Sequence, residues 1–135
     1  MPARKSPQGE GRSLCAAATA GVSGSPFSIV PSAAAGGTFN PANYTISYQN
    51  GTLAVNPAVL TITADNRSKT YGEAVAFAGT EFTTSGLANS EAVGSVTLTS
   101  SGAVATARVS GSPFSIVPSA EAGGTFNPAN YTISY

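Results

Sequence analysis

The stretch Val22–Tyr48 reads VSGSPFSIVPSAAAGGTFNPANYTISY, and it occurs a second time as Val109–Tyr135 with a single substitution. The match extends back by four residues with one further change, so that 29 of 31 positions are identical at an offset of 87 residues. Neither chance nor convergence accounts for such identity. An 87-residue unit copied in tandem is therefore the organising feature of the chain.

The phase of this repeat predicts the domain organisation. The 135 residues hold about one and a half copies, which we interpret as a window onto a longer array, truncated at both ends. Residues 18–57 correspond to the back part of one unit, and residues 58–135 to the next unit without its final strand. Residues 1–17 do not match the repeat, and their charged, turn-rich composition predicts a disordered leader.

The composition excludes several classes of function. Six Lys and Arg balance six Asp and Glu, so the chain has no basic excess for nucleic acid or an anionic membrane surface. No apolar run approaches the 18 or so residues of a membrane span, which predicts no transmembrane segment. His and Trp are absent and Cys15 is the only cysteine, which excludes intrachain disulfides and His-dependent triads. We predict no catalytic, cofactor-binding or metal-binding residue.

Cys15 lies in the sequence Leu-Cys-Ala-Ala-Ala, which weakly suggests a lipidation or cleavage site. The stretch before it is polar, however, so neither a lipobox nor a signal peptide is supported. We interpret Cys15 as an exposed, unpaired thiol.

The second unit reads as a series of short strands. Residues 59–64 alternate apolar and hydroxylated side chains, which predicts an opening strand, and residues 81–84 predict a second extended segment. Residues 95–100 and 103–109 alternate around Ser101-Gly102, which suggests a hairpin. Residues 86–94 are the one place where a helix of at most two turns is plausible, with Asn89 or Ser90 as its cap.

The end of the repeat predicts a further hairpin. Asn50-Gly51 separates Tyr44–Tyr48 from Thr52–Val55, and Asn-Gly between alternating runs is a strong signal for a type I′ turn. The prolines on either side of Phe114–Val117 allow either a short edge strand or an extended loop there. The second copy of the closing segment, Asn130–Tyr135, is expected to form a strand.

Three ordered stretches resemble a known family: LTITADNRSKTYG at Leu60–Gly72, SGLANSEAV at Ser85–Val93 and NYTISYQNGTLAVNPA at Asn43–Ala58. They are similar to the MBG domain of the YGX type, which occurs in tandem in large bacterial surface and secreted proteins, including adhesins. The resemblance implies a small, mainly β, β-grasp-like fold with at most one short helix per repeat. It also implies a spacer or adhesive role outside the cell and no catalytic residue.

The aromatic side chains allow two interpretations. Tyr44, Ile46 and Tyr48 fall on one strand face, as do their counterparts Tyr131, Ile133 and Tyr135. This face could stack on sugar rings, but alternation of aromatic and β-branched residues is typical of a half-buried strand, so the pattern favours the core. Tyr71 could contact a ligand, yet an aromatic followed by glycine at a strand end is more often a corner anchor.

The remaining polar groups give weak signals. Five carboxylates could in principle act as an acid–base pair or bind calcium, but their spacing fits neither a catalytic pair nor a calcium loop. We therefore interpret them as solvated charges in loops; they are Asp65, Glu73, Glu81, Glu91 and Glu121. Four N-x-[ST] triplets could be glycosylated, at Asn43, Asn50, Asn66 and Asn130. In a chain this rich in Asn, Ser and Thr such triplets arise easily by chance.

Three hypotheses for function follow. The first is a structural or adhesive repeat that acts as a spacer at the cell surface, its partners being further repeats of the same parent chain. The second is a weak binding module for carbohydrate or mucin-like glycoprotein that gains avidity by repetition. The third is a non-functional fragment of a larger adhesin gene.

The interrupted second unit also suggests self-association. We expect Asn130–Tyr135 to present an open strand edge, which the hairpin Tyr44–Val55 of another molecule could complete by strand exchange.

Overall fold

The computed structural model describes residues 17–135, which divide into two units at the Asn56–Pro57 bond. The predicted leader, Cys15 included, lies outside the described residues except for Ala17. Each unit is described separately below.

The first unit contains two short strands. β1 (Phe27–Ile29) and β2 (Gly51–Leu53) pair antiparallel, with Phe27 opposite Leu53 and Ile29 opposite Gly51. No residue in the described part of this unit, 17–56, is buried. Within residues 17–56, the strand ladder and local turns therefore hold the chain without a buried apolar side chain.

The second unit contains five strands in two sheets. They are β3 (Ala58–Ala64), β4 (Phe82–Ser85), β5 (Val93–Thr99), β6 (Val117–Gly124) and β7 (Tyr131–Ser134). β3 lies between β4, to which it is antiparallel, and β7, to which it is parallel. β5 and β6 form a separate antiparallel pair. The described residues contain strands and short 3₁₀ turns but no α-helix, which confirms the prediction of a small, mainly β fold.

The core of the second unit lies between β3, β5 and β7. Leu60 and Ile62 have no solvent exposure, and Val96, Leu98 and Tyr131 are also buried. Alternation along β3 and β5 brings these apolar side chains inward and leaves Thr63, Thr97 and Thr99 exposed, as expected for half-buried strands. Burial of each large aliphatic side chain stabilises the fold by about 1.5–3 kcal/mol.

The predicted hairpin of residues 95–100 with 103–109 is wrong. β5 pairs with β6 instead, with Thr99 opposite Val117. The second half of the predicted hairpin forms turns whose carbonyls have other partners. The N–H groups of Gly72 and Val75 donate to the carbonyls of Ala105 and Ala103.

The predicted hairpin around Asn50-Gly51 is also wrong. A type I′ turn needs positive φ at both central residues, and neither Asn50 nor Gly51 has it. Residues 44–48 form no strand, and β2 pairs with β1 instead.

Two other predicted segments differ in form. Asn89 and Ser90, the predicted caps of a short helix, have φ of 55° and 60°, which a right-handed helix cannot accommodate, and they form a turn. Residues 114–116 are an extended loop, and β6 begins only at Val117.

The two copies of the repeated stretch have the same local geometry. Each contains a cis Ser-Pro bond, a 3₁₀ turn at Val-Ser-Gly and another at Pro-Ala-Asn, and an Asn side chain that accepts from the N–H two residues on. The positive φ of 55° at Ala33 recurs as 51° at Ala120. The strand pairing and the burial of side chains differ between the copies, because different segments lie beside them.

Candidate functional site

A cleft of about 260 Å³ lies within the second unit. Its walls come from three loops, residues 67–77, 100–103 and 107–116. Two of these loops border the ends of β5 and β6, so the cleft continues the line of that two-stranded sheet. This cleft is the candidate site.

The Phe114 ring forms the apolar wall of the cleft. It packs so closely on backbone that a Cβ added to Gly102 would lie 2.6 Å from the ring, and one added to Gly111 would lie 2.8 Å from it. Real Cβ contacts are never so short. Glycine at these two positions therefore lets the aromatic ring lie against the main chain, as Gly24 does for Phe27 in the first unit.

Three cations line the same cleft, Arg67, Lys69 and Arg108. Lys69 Nζ donates to the carbonyls of Glu73, at 2.9 Å, and Val104, so this side chain ties two loops together. Arg67 Nη1 lies 3.3 Å from Glu81 Oε1. Sequence reasoning missed this grouping because it placed residues 103–109 in a hairpin strand, which kept Arg108 away from the Lys69–Gly72 turn.

Tyr71 lies at the cleft with 61% of its surface exposed. The interpretation of Tyr71 as a corner anchor is therefore wrong. The following residue, Gly72, has φ of +97° and its N–H donates to the carbonyl of Ala105, so the glycine fixes the corner while the ring remains in solvent.

Glu81 organises the turn before β4. Its carboxylate accepts from the N–H groups of Ala78 and Gly79, both at 2.9 Å, and of Thr80 at 3.1 Å. The bond from Ala78 is the largest influence, and the backbone donors together hold the pKa of Glu81 below its usual 4.5 against a smaller opposing effect of desolvation.

Glu91 organises a second turn, together with Tyr131. The Tyr131 hydroxyl donates to Glu91 Oε2 at 2.8 Å and accepts from the Ala88 N–H at 3.0 Å. Glu91 Oε1 accepts from the Asn127 N–H at 3.1 Å. The Ala88 bond lowers the pKa of Tyr131, but desolvation and the Glu91 carboxylate outweigh it, so this pKa is raised above 10.0.

The acidic residues were predicted to be solvated loop charges, but three of them hold turns. Besides Glu81 and Glu91, Glu73 accepts from the Thr70 N–H at 2.7 Å. Between residues 17 and 135, no three His, Cys, Asp or Glu side chains come together as possible metal ligands. The carboxylates of Glu73, Glu81 and Glu91 thus accept hydrogen bonds from backbone N–H groups.

The aromatic face behaves differently in the two copies. In the second unit Tyr131 is 7% exposed and Ile133 packs against the core, which agrees with the core interpretation. In the first unit that interpretation is wrong, because Tyr44 is 63% exposed and Ile46 and Tyr48 are also exposed. β3 lies beside β7, whereas no described strand lies beside residues 44–47.

A scaffold predicts that the aromatic side chains of the second unit are fully buried, whereas a binding module predicts that some are exposed in a groove. The structure shows neither extreme. Phe114 and Phe126 are half-buried and Tyr135 is 51% exposed. Of the triplet asparagines, Asn43, Asn50 and Asn66 are exposed and Asn130 is half-buried. Their glycosylation stays a prediction.

Comparison with known proteins now identifies the family. A family model described as MBG domain (YGX type) matches residues 60–135. Searches of curated proteins and of solved structures found no match. None of the helices described in residues 17–135 has the length and hydrophobicity needed to span a bilayer. The match covers more than half of the chain, including most of β3, all of β4 to β7 and the Lys69–Gly72 turn, and the chain belongs to the MBG domain family of the YGX type.

Proposed function

We propose that the chain is a spacer segment of MBG repeats from a bacterial surface or secreted protein, and that it acts outside the cell without catalysis. One observation carries the proposal: two near-identical stretches, 87 residues apart, have the same turns, the same positive φ and the same capping bonds. Each added repeat would therefore contribute the same structural unit to a growing array.

The connection between successive units supports this role. Only residues 54–57 separate β2 from β3, and they include a proline. A link this short restricts the freedom of one unit relative to the next. The MBG family is in general a non-catalytic module, and the chain contains no His and a single Cys for nucleophilic chemistry.

The experiment that tests the spacer role is a copy-number series. Residues 49–135 make one 87-residue period, so joining this segment head to tail regenerates the repeat across each junction. Arrays of two, four and eight copies are compared by small-angle X-ray scattering. A spacer predicts that the maximum dimension rises in proportion to copy number, and growth as the square root, typical of a flexible coil, would refute it.

The exposed cleft favours one alternative function, binding of an acidic, mucin-like glycan. Tyr71 offers an aromatic face there, and Arg67 and Arg108 offer positive charge. The same arrays are passed over immobilised sialylated mucin. Retention that increases with copy number and is lost in Tyr71→Ala arrays would support the binding module over the pure spacer.

A further inference from the structure

We infer that Asn50 is a site of spontaneous modification, which converts its side-chain amide to aspartate and isoaspartate, and that the isoaspartate form opens the pairing of β1 with β2. The inference goes beyond the spacer role and concerns how a repeat changes with age. It begins from the one Asn-Gly pair in the sequence, which forms no type I′ turn and which the fold leaves in solvent.

The reaction joins the backbone nitrogen of Gly51 to the side chain of Asn50. As the nitrogen attacks Cγ, the N–Cγ bond forms, the Cγ–Nδ2 bond breaks, and the side-chain nitrogen leaves as ammonia with the former amide proton. One water molecule then opens the resulting succinimide ring. Opening at Cγ gives aspartate, and opening at the main-chain carbonyl gives isoaspartate. The net change is the gain of water and the loss of ammonia, with no oxidant or cofactor.

The seven other asparagines are less suited to this reaction. Three of them precede proline, whose nitrogen has no proton to lose: Asn40, Asn56 and Asn127. Two others precede the bulky tyrosine and end 3₁₀ turns: Asn43 and Asn130. Asn66 and Asn89 precede residues with a Cβ, which crowds the attacking nitrogen and restricts its backbone. The sequence therefore favours Asn50 over every other asparagine.

The strand ladder leaves the nitrogen of Gly51 accessible. Gly51 lies opposite Ile29, and a Cβ added to Gly51 would lie 3.8 Å from the Ile29 Cβ. Such close spacing is typical of a non-hydrogen-bonded pair, in which the N–H groups of both residues point away from the partner strand. Asn50 and Gly51 are both exposed. The attacking nitrogen and the side-chain amide are therefore open to water.

Isoaspartate at this position would disturb the ladder. Its main chain passes through Cβ and Cγ, which adds one carbon to the backbone immediately before Gly51. Gly51 is the first paired residue of β2, so the extra carbon enters where the strand register begins. Within residues 17–56, β1 and β2 form the only strand pair. The isoaspartate form should therefore lose this ladder while β3 to β7 keep theirs.

The same change would loosen the boundary between units. Only residues 54–57 separate β2 from β3, so release of β2 lengthens the free segment before the second unit. An array built from residues 49–135 contains one Asn-Gly pair in each period. In the spacer role proposed above, every boundary would thus become more flexible as the protein ages.

The first test incubates the full chain at mildly alkaline pH and follows each asparagine by mass spectrometric peptide mapping. Asn50 should convert at least about ten-fold faster than the exposed Asn66, which serves as the internal control. Gly51→Ala should slow the conversion about ten-fold, because a Cβ restricts the geometry of attack. This variant should keep the ladder, since φ at Gly51 is not positive and the new Cβ makes only ordinary contacts with Ile29.

A second measurement separates the effect of the backbone from the effect of charge. The isoaspartate form is purified by chromatography, and Asn50→Asp is its matched control, because it carries a carboxylate on an unaltered backbone. Hydrogen exchange of the Phe27–Ile29 amides should be at least about ten-fold faster in the isoaspartate form and unchanged in Asn50→Asp.

Three outcomes would overturn the inference. They are conversion of Asn50 no faster than that of Asn66, an unchanged rate in Gly51→Ala, and an isoaspartate form whose β1 amides exchange like those of the unmodified chain. None of them would alter the copy-number scaling of freshly purified arrays, which tests the spacer role separately.

Discussion

Removal of one hydroxyl group, in Tyr131→Phe, should destabilise the second unit severely while leaving its core filled. The Tyr131 ring is buried and lies 6.2 Å from the Phe126 ring, and phenylalanine would keep that packing. The hydroxyl joins the Ala88–Glu91 turn to β7, because it accepts from Ala88 and donates to Glu91. Tyr44 is the same position in the other copy, is exposed, and serves as the matched control.

The magnitude follows from the two bonds. A hydrogen bond to an ionised carboxylate contributes about 1.5–3 kcal/mol, and an N–H left without its partner costs about 1–3 kcal/mol more when fully buried. Ala88 is exposed and Glu91 is half-buried, so water replaces part of what is lost. We expect the free energy of unfolding to fall by about 2 kcal/mol, which lowers the Tm of a domain of this size by about 8–16 °C.

The assay is thermal and urea unfolding followed by far-UV circular dichroism. Tyr44→Phe should change Tm by less than about 2 °C, since its substitution removes no buried partner. Equal shifts in the two variants, or a shift below about 2 °C in Tyr131→Phe, would refute the reasoning.

Alkaline pH gives the same prediction a second readout. The folded-state pKa of Tyr131 is raised above 10.0, so the folded unit retains a proton that the unfolded chain releases. This stabilisation is complete below pH 10 and is lost as the pH rises through the folded pKa. Tyr131→Phe should abolish that part of the alkaline loss.

Three further substitutions or deletions test other parts of the fold. Glu81→Gln should lower Tm at neutral pH but not in acid. The lowered pKa of Glu81 gives a stabilisation that is present above pH 4.5 and is lost as the pH falls through the folded-state pKa. Thermal melts from pH 7 to 2 measure this effect, and Asp65→Asn, at an exposed position, is the control. Gly86→Ala should destabilise by about 3 kcal/mol or more in urea unfolding, since φ is +103° and the new Cβ would overlap the Val59 carbonyl. Gly72→Ala, at φ +97° with open space around it, should cost only about 1 kcal/mol, so an equal loss in both variants would contradict the overlap. The fragment 57–135 should melt within about 3 °C of the full chain, because all the buried apolar side chains among the described residues lie in it. A fragment that fails to fold would contradict this prediction and would show that the first unit contributes to the core.

Most strands of the second unit could be predicted from the sequence, but β6 and the strand partners could not. β3, β5 and β7 lie where alternation of apolar and hydroxylated residues predicts them, since one buried face imposes a period of two, and β4 lies at the extended segment predicted for residues 81–84. Alternation says nothing about which strand lies alongside. Residues 103–109 alternate as a strand does, yet their carbonyls accept from the Gly72–Val75 loop, a contact no local pattern contains.

The candidate cleft was the least predictable part of the molecule. It depends on Phe114 lying against Gly102 and on Lys69 reaching the Val104 carbonyl, and each contact joins segments that are distant in sequence. The sequence singled out the Lys69–Gly72 motif and the proline-flanked segment Phe114–Val117, but nothing in it predicted that these segments lie close together.

Comparison of the two copies shows which features follow from the local sequence and which follow from the segments packed beside it. The 27-residue stretch, which differs at one position between the copies, has the same 3₁₀ turns in both units, and Tyr48 and Tyr135 both accept a hydrogen bond from the loop N–H fourteen residues earlier. Burial, however, follows the neighbouring strand: Tyr44 is exposed and Tyr131 is buried only where β3 lies alongside. In an array of such repeats, each unit would therefore have the same turn geometry. The stability of a unit would depend on which strand pairs with its Ser-Pro-Phe-Ser-Ile segment and with its closing Tyr-Thr-Ile-Ser strand. A substitution in the turns should consequently act alike in every copy, and a substitution in β2 or β3 should act on the segment that pairs with it.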